Sequence, residues 1–293
     1  MPVMDYVLTT DSNTELPLPL VQQYQVPFVP MNYLLDGQEY FYDLGERTDY
    51  KWFFNNVRSG RLPSTSTYPP QYYVDFWTPY LQQGRDVLHV GFSSGMSASA
   101  HYIEQAIEQL AEQYPNRRVV FADTLSISGG AAVLVYGALK RREQGLGLEE
   151  VAAWVRENAC HANHWFTVND LNHLRRGGRL SATTAIVGSV LNIKPVLIVN
   201  REGKVVAYDK VTGRRKAIRY LADRAAELAQ DPAGNACIIL HGDCLADGEE
   251  LRSQVLAAAP FGECFLQNVG PVIGTHAGPD VLAVCFLGKE RNS

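Results

Sequence analysis

The sequence predicts an α/β protein in two domains: a parallel-sheet, Rossmann-like domain over residues 1–162 and a mixed α/β domain over residues 163–293. Two observations carry this. In the first half an apolar run, a small-residue loop and a helical stretch follow one another three times, the pattern of a parallel sheet covered by helices. Beyond about Ala162, two apolar runs are joined by a short glycine-bearing turn, which belongs to antiparallel pairing. A length of 293 residues suits two medium domains at about 100–200 residues each.

The elements follow in order. Residues 6–10 (Tyr-Val-Leu-Thr-Thr) read as a strand, with a polar turn at 11–14 and a helix from Leu18. Residues 87–92 form the second strand, closed by Ser93-Ser94-Gly95 and followed by a helix over about 97–113. Residues 118–122 form the third, followed by Ser126-Ile127-Ser128-Gly129-Gly130 and a helix to about Gln144. Sheets of this kind bind ligands at the carboxyl ends of their strands. In the second half, 194–199 and 205–208 pair across a turn at 201–204 whose Gly203 suits it, with a helix at 217–229, a strand at 236–240, a helix at 248–259 and a last strand at 281–286. No internal repeat is visible.

Composition excludes several classes. Hydrophobic residues make up 46% and charged residues 19%, which is a folded chain rather than a disordered one. With 26 basic against 31 acidic residues the net charge is −5, a poor balance for gripping phosphate backbones, so no nucleic-acid partner is expected. The richest apolar stretch, 131–139, is far short of the roughly 18 residues of a membrane span, and no stable membrane insertion is expected. Residues 1–11 lack the basic end and apolar centre of a signal peptide, and five cysteines, an odd number, do not suggest a secreted disulfide framework; a cytoplasmic location is expected.

Several loops carry candidate chemistry. Gly91-Phe92-Ser93-Ser94-Gly95 fits G-x-S-x-G between strand and helix, so a serine hydrolase using Ser93 and His276, with Asp243 as the acid, is one reading. No HGGG-type oxyanion segment lies upstream. The same hydroxyls, with free amides at a helix start, also suit a carboxylate or phosphate. Residues 63–70, dense in hydroxyls and prolines, read as a rigid loop. Residues 170–179 end a helix on Gly177-Gly178 and present Arg179. Residues 270–279 place His276 in a glycine-rich loop between two apolar strands. His161 with His164, and His241 with Asp243 and Cys244, lack a full zinc ligand set, so no metal is expected.

Taken in order, these segments resemble the DegV family of bacterial fatty-acid-binding proteins. The likeness runs from Thr10-Asp11-Ser12-Asn13 with Leu16-Pro17, through Val26-Pro27, Gly37, Thr65-Ser66 and Ser93-Ser94-Gly95-Met96-Ser97, to Gly177-Gly178-Arg179, Lys194-Pro195 and Gly274-Thr275-His276-Ala277-Gly278-Pro279. The resemblance implies a lipid-binding carrier rather than an enzyme, holding one long-chain fatty acid with its tail in the second domain and its carboxylate at the interface. It implies no cofactor, and a separate fatty acid kinase subunit to which the acid is presented for conversion to the acyl phosphate, a step of phospholipid metabolism. Carried over by position, Thr65, Ser93 and Ser94 hold the carboxylate, with Arg179 and His276 beside it. After Thr65-Ser66 the family commonly has Gln-Pro, where this chain has Thr67-Tyr68-Pro69.

The chemistry agrees with that expectation. Burying about 14 methylenes at about 0.8 kcal/mol each offers roughly 11 kcal/mol before ordering costs. Ile186, Val187, Val190 and Leu191 fall at helical spacing suited to lining an acyl tunnel, or equally to an ordinary core stripe. Hydroxyls and a cation offset desolvation of the carboxylate.

Overall fold

The computed structural model describes residues 6–181 and 192–291. The first half runs β1 (Tyr6–Asp11), α1 (Leu18–Tyr24), β2 (Phe28–Val29), β3 (Asn32–Leu35), β4 (Gln38–Phe41), α2 (Tyr50–Arg58), β5 (Ser64–Thr65), α3 (Pro70–Gln82), β6 (Asp86–Gly91), α4 (Ser99–Gln113), β7 (Val119–Asp123), α5 (Ser128–Glu143) and α6 (Leu148–Asn158). The second half runs β8 (Ala162–Thr167), α7 (Asn172–Arg176), β9 (Ile193–Val199), β10 (Val205–Thr212), α8 (Arg214–Leu228), β11 (Ala236–His241), α9 (Leu245–Ala258), β12 (Glu263–Asn268), α10 (Pro271–Ala277) and β13 (Leu282–Leu287).

Three sheets result. The first, in the order β2-β1-β6-β7, is parallel throughout, because each of its long strands returns through a covering helix. The second has six strands in the order β10-β9-β8-β13-β11-β12, antiparallel except for the β11–β12 pair. The hairpin of β9 and β10 turns where the sequence places it, with Gly203 in the left-handed region at φ 71°. The chain is therefore an α/β protein with a parallel sheet and a mixed sheet.

The third sheet, β4-β3-β5, is not foreseen in the sequence. The proline-rich stretch 63–70 contains its short edge strand: Ser64 and Thr65 pair with Leu34 and Tyr33 before Pro70 opens α3. Residues 270–279 are not a loop either. Gly270, Pro271 and Gly278 are the N-cap, first residue and end of the two-turn helix α10, with Gly278 at φ 75°. Proline at the first helical position and glycine just past the end are helix boundaries, which resemble loop signals when the helix between them is short.

The parallel sheet and one face of the six-stranded sheet share one hydrophobic core: Leu8, Val87, Val90 and Leu134 belong to it together with Phe166, Leu197, Ile238 and Leu240. Helix α5 lies at the junction, packed on β8, β11 and β13. The opposite face of the six-stranded sheet packs against α8 and α9 through Trp165, Ile239, Val284 and Phe286. Successive residues of one strand alternate between the two cores, as a pleated sheet requires. Among the described residues no helix is long and apolar enough to cross a membrane.

Candidate functional site

The carboxyl ends of the parallel strands face the six-stranded sheet, and a cavity of about 410 Å³ lies between them, within the roughly 300–1,000 Å³ of small-molecule sites. One wall comes from the loops after the parallel strands, which supply Asn13, Phe92, Met96, Ser97 and Ile127. The facing wall comes from Phe166, Val205, Ala283 and Cys285 of the six-stranded sheet. Helix α10 closes one side with Val272, Ile273, His276 and Ala277, and Thr65, Ser66 and Thr67 complete the rim. The wall is mainly hydrocarbon. Among its described residues Arg179 is the one that carries a formal charge, and no carboxylate is present.

The polar groups are held by local structure. Thr65 is fixed by the pairing of β5 with β3, and its Oγ1 lies 2.9 Å from His276 Nε2. His276 is held on the other side by Gly177: a Cβ there would stand 2.1 Å from His276 Nδ1, so only glycine lets the end of α7 come so close. Burial, reinforced by the Arg179 and Arg176 guanidiniums, pushes His276 down to about 4, so the imidazole is neutral at physiological pH. Its Nδ1 is buried with no partner among the described residues. A bare ring nitrogen is a smaller loss there than a buried N–H, which places the proton on Nε2, donating to Thr65 Oγ1. The Thr65 hydroxyl proton is then free to donate into the cavity.

Arg179 donates through Nε to the Met96 carbonyl at 3.3 Å and through Nη1 to the Gly177 carbonyl at 2.5 Å. Both acceptors are neutral, and Arg179 forms no ion pair among the described residues. Its charge is therefore uncompensated beside an apolar cavity, a position that favours an anionic ligand. Asp11 shapes the opposite loops: its buried carboxyl receives the Asn13 and Phe92 amides at 2.9 and 3.1 Å, and burial lifts it to about 6.

The structure brings Thr65, Arg179 and His276 together on the cavity wall. Ser93 and Ser94 stand elsewhere. Ser93 is fully buried; its Oγ donates to the Gly203 carbonyl at 2.9 Å and accepts from the Gly95 amide at 3.1 Å, which ties the loop after β6 to the β9–β10 turn. Ser94 is exposed, and its amide faces the Asp123 carboxylate at 3.3 Å. The hydroxyl of this loop that reaches the cavity is Ser97, whose Oγ also accepts from the Ser99 amide at the start of α4. Ile186, Val187, Val190 and Leu191 lie outside the described residues.

The hydrolase arrangement does not assemble. Ser93 donates to a backbone carbonyl rather than to a histidine, His276 faces Thr65, and Asp243 pairs with Arg58 of α2. Candidate metal ligands are also engaged elsewhere. His161 Nδ1 lies 3.0 Å from the Gly288 carbonyl, and His164 Nε2 accepts from the Ile127 amide at 3.2 Å. No group of three or more potential ligands occurs among the described residues.

Sequence reasoning missed the floor of the cavity, where Met31, Phe166, Ala283 and Cys285 come from three separate segments. For Ser97 a signal did exist, since it lies in the hydroxyl-rich loop already singled out. Its direction depends on the turn made by residues 93–96.

Comparison with known proteins agrees with this architecture. The family model described as an uncharacterised protein of the DegV family matches residues 6–289. A DegV domain-containing protein of Clostridium perfringens is 34% identical over 286 residues, 98% of each chain. Among solved structures, a DegV family protein from Thermus thermophilus, described as binding fatty acid, is 30% identical and superposes with a TM-score of 0.84 over 97% of this chain and 100% of that one. DegV from Bacillus subtilis, described as a fatty acid binding protein, is 26% identical with a TM-score of 0.81 over 98% and 100% of the two chains. Matches of this extent, by sequence and by fold, show that the chain belongs to the DegV family.

Proposed function

We propose that this protein binds one long-chain fatty acid, with the tail in the cavity between the two sheets and the carboxylate against Arg179, Thr65 and His276. The observation that carries this is the pairing of a hydrocarbon-lined cavity with one uncompensated arginine and no acid on its described wall. A neutral ligand would leave the guanidinium unused, and a small anion would leave the apolar walls wet. The fatty acids described for the relatives from Thermus thermophilus and Bacillus subtilis support the same ligand class. In this reading the protein is a carrier, and a separate kinase subunit takes the exposed end of the ligand and forms the acyl phosphate. The unassembled triad supports a non-catalytic role for Ser93.

Equilibrium dialysis of the delipidated protein against radiolabelled palmitate tests this. Saturable uptake of one equivalent, with hexadecanol competing weakly, is the expected result. Absence of uptake, or equal competition by hexadecanol, would overturn the reading.

A further inference from the structure

A second acid sits behind the cavity and takes no part in the binding site just described. Glu15 follows the turn Ser12–Thr14 in a left-handed conformation at φ 51°, unusual for a residue with a side chain, and it is fully buried. Its Oε2 accepts from Ser128 Oγ, the first residue of α5, and its Oε1 accepts from the Gly270 amide, the N-cap of α10. Its own carbonyl accepts from Gln267 Nε2 of β12 at 2.7 Å. One residue of the first half thus holds the starts of two helices and the edge strand of the second sheet. The Gly270 amide is one of the donors at the start of α10 with no partner inside the helix, and the Glu15 carboxyl takes it.

We propose that Glu15 is a positioning residue for the cavity: its carboxyl group fastens α10 to α5 and so sets where Ser128, Val272, Ile273 and His276 stand on the wall. Its effect on a ligand rests on the fatty acid reading, whereas its effect on α10 does not.

The groups facing Glu15 make the fastening sensitive to protonation. Tyr42, with Tyr50 behind it at 3.3 Å between hydroxyls, and Cys285 of β13 surround it, and burial raises all three, so none is charged at neutral pH. No cation compensates Glu15 among the described residues, and burial lifts it to about 8. The carboxyl is therefore neutral at pH 7, with Oε1 as the carbonyl that accepts from Gly270 and the acid proton between Oε2 and Ser128 Oγ, and it ionises as the pH rises past about 8. A buried uncompensated charge is relieved by opening toward water. The sign follows: an opened α10 lets the carboxyl return toward its ordinary 4.5, so the fastening is strongest below about pH 4.5, weakens as the pH rises from there to about 8, and is constant above.

Hydrogen exchange of the 270–277 segment, measured with palmitate affinity on wild type, Glu15→Gln and Glu15→Ala at pH 7 and pH 9.5, tests this. The Glu15→Gln amide keeps both contacts, with its oxygen accepting from Gly270 and its N–H donating to Ser128. At pH 7, Glu15→Ala is expected to exchange about tenfold faster in α10 and to bind palmitate about tenfold more weakly, with Glu15→Gln within about twofold of wild type. At pH 9.5, wild-type exchange in α10, corrected for base catalysis, rises several-fold, and Glu15→Gln does not follow. Unchanged exchange in Glu15→Ala, or equal damage in Glu15→Gln, would overturn the proposal. If Glu15→Ala does not fold, the pH contrast between wild type and Glu15→Gln decides. If wild type takes up no palmitate, the fatty acid reading fails and exchange alone judges Glu15.

Discussion

The two faces of the six-stranded sheet use the same strands for opposite ends. On β13, Leu282, Val284 and Phe286 point toward α8 and α9, where they pack among large side chains such as Ile218, Leu221, Leu251 and Val255. Between them, Ala283 and Cys285 point the other way and line the cavity. One strand therefore alternates large with small residues, and the small ones leave the room that α5 and the loops of the parallel sheet do not fill. The cavity in this molecule is a region of core short of side-chain volume.

That contrast can be broken from either side. On the filled face, Ile239→Ala removes three carbons from close packing and should cost about 2–5 kcal/mol of stability by urea unfolding, with little change in ligand affinity per folded molecule. A loss under about 1 kcal/mol would mean that this face is not packed as described. On the cavity face, Ala283→Phe adds volume to open space. It should leave stability within about 1.5 kcal/mol and displace some four methylenes of a bound chain, roughly 3 kcal/mol or about a hundredfold in affinity by dialysis.

The polar end sharpens the comparison, because its effects should appear in binding rather than in folding. Arg179→Gln is expected to weaken palmitate by about 10–100-fold, the scale of a hydrogen bond to a charged group, without weakening hexadecanol. Thr65→Val keeps the shape and removes the donor, for a loss of about 3–10-fold.

A smaller effect concerns acid. His276 is held down at about 4, below the 6.5 of an unfolded chain, so the unfolded state takes a proton first as the pH falls. Stability tied to His276 is present above pH 6.5, declines between 6.5 and 4, and is constant below. His276→Asn should remove that slope from urea midpoints measured across the interval, and identical slopes in both proteins would place His276 in a more watery setting than the one described.

Much of this fold was legible because it rests on local patterns. The strand, loop and helix units of the first half and the Gly203 hairpin declare themselves through period and turn chemistry. The β4-β3-β5 sheet did not, since two-residue β5 has no periodicity and exists only through pairing with distant β3. Helix α10 was hidden by the glycines and proline that bound it. At the site, Arg179 and His276 stood out as cation and imidazole beside glycines, whereas Thr65 was named, within its hydroxyl-rich loop, through the family resemblance. Which way a hydroxyl turns was not legible: Ser93 faces a carbonyl of the β9–β10 turn, and Ser97 faces the cavity. Nothing local in the sequence singles out Glu15, because its partners at 128 and 270 are far away in the chain.

The central claim, an acyl chain in the space beside Ala283 with its carboxylate at Arg179, is tested most directly by mass spectrometry of lipid extracted from purified wild type and Ala283→Phe after exposure to a fatty acid mixture and gel filtration. One equivalent of a long-chain fatty acid in wild type and almost none in the folded variant is the result this account predicts. No fatty acid in wild type, or the same amount in both proteins, would contradict it.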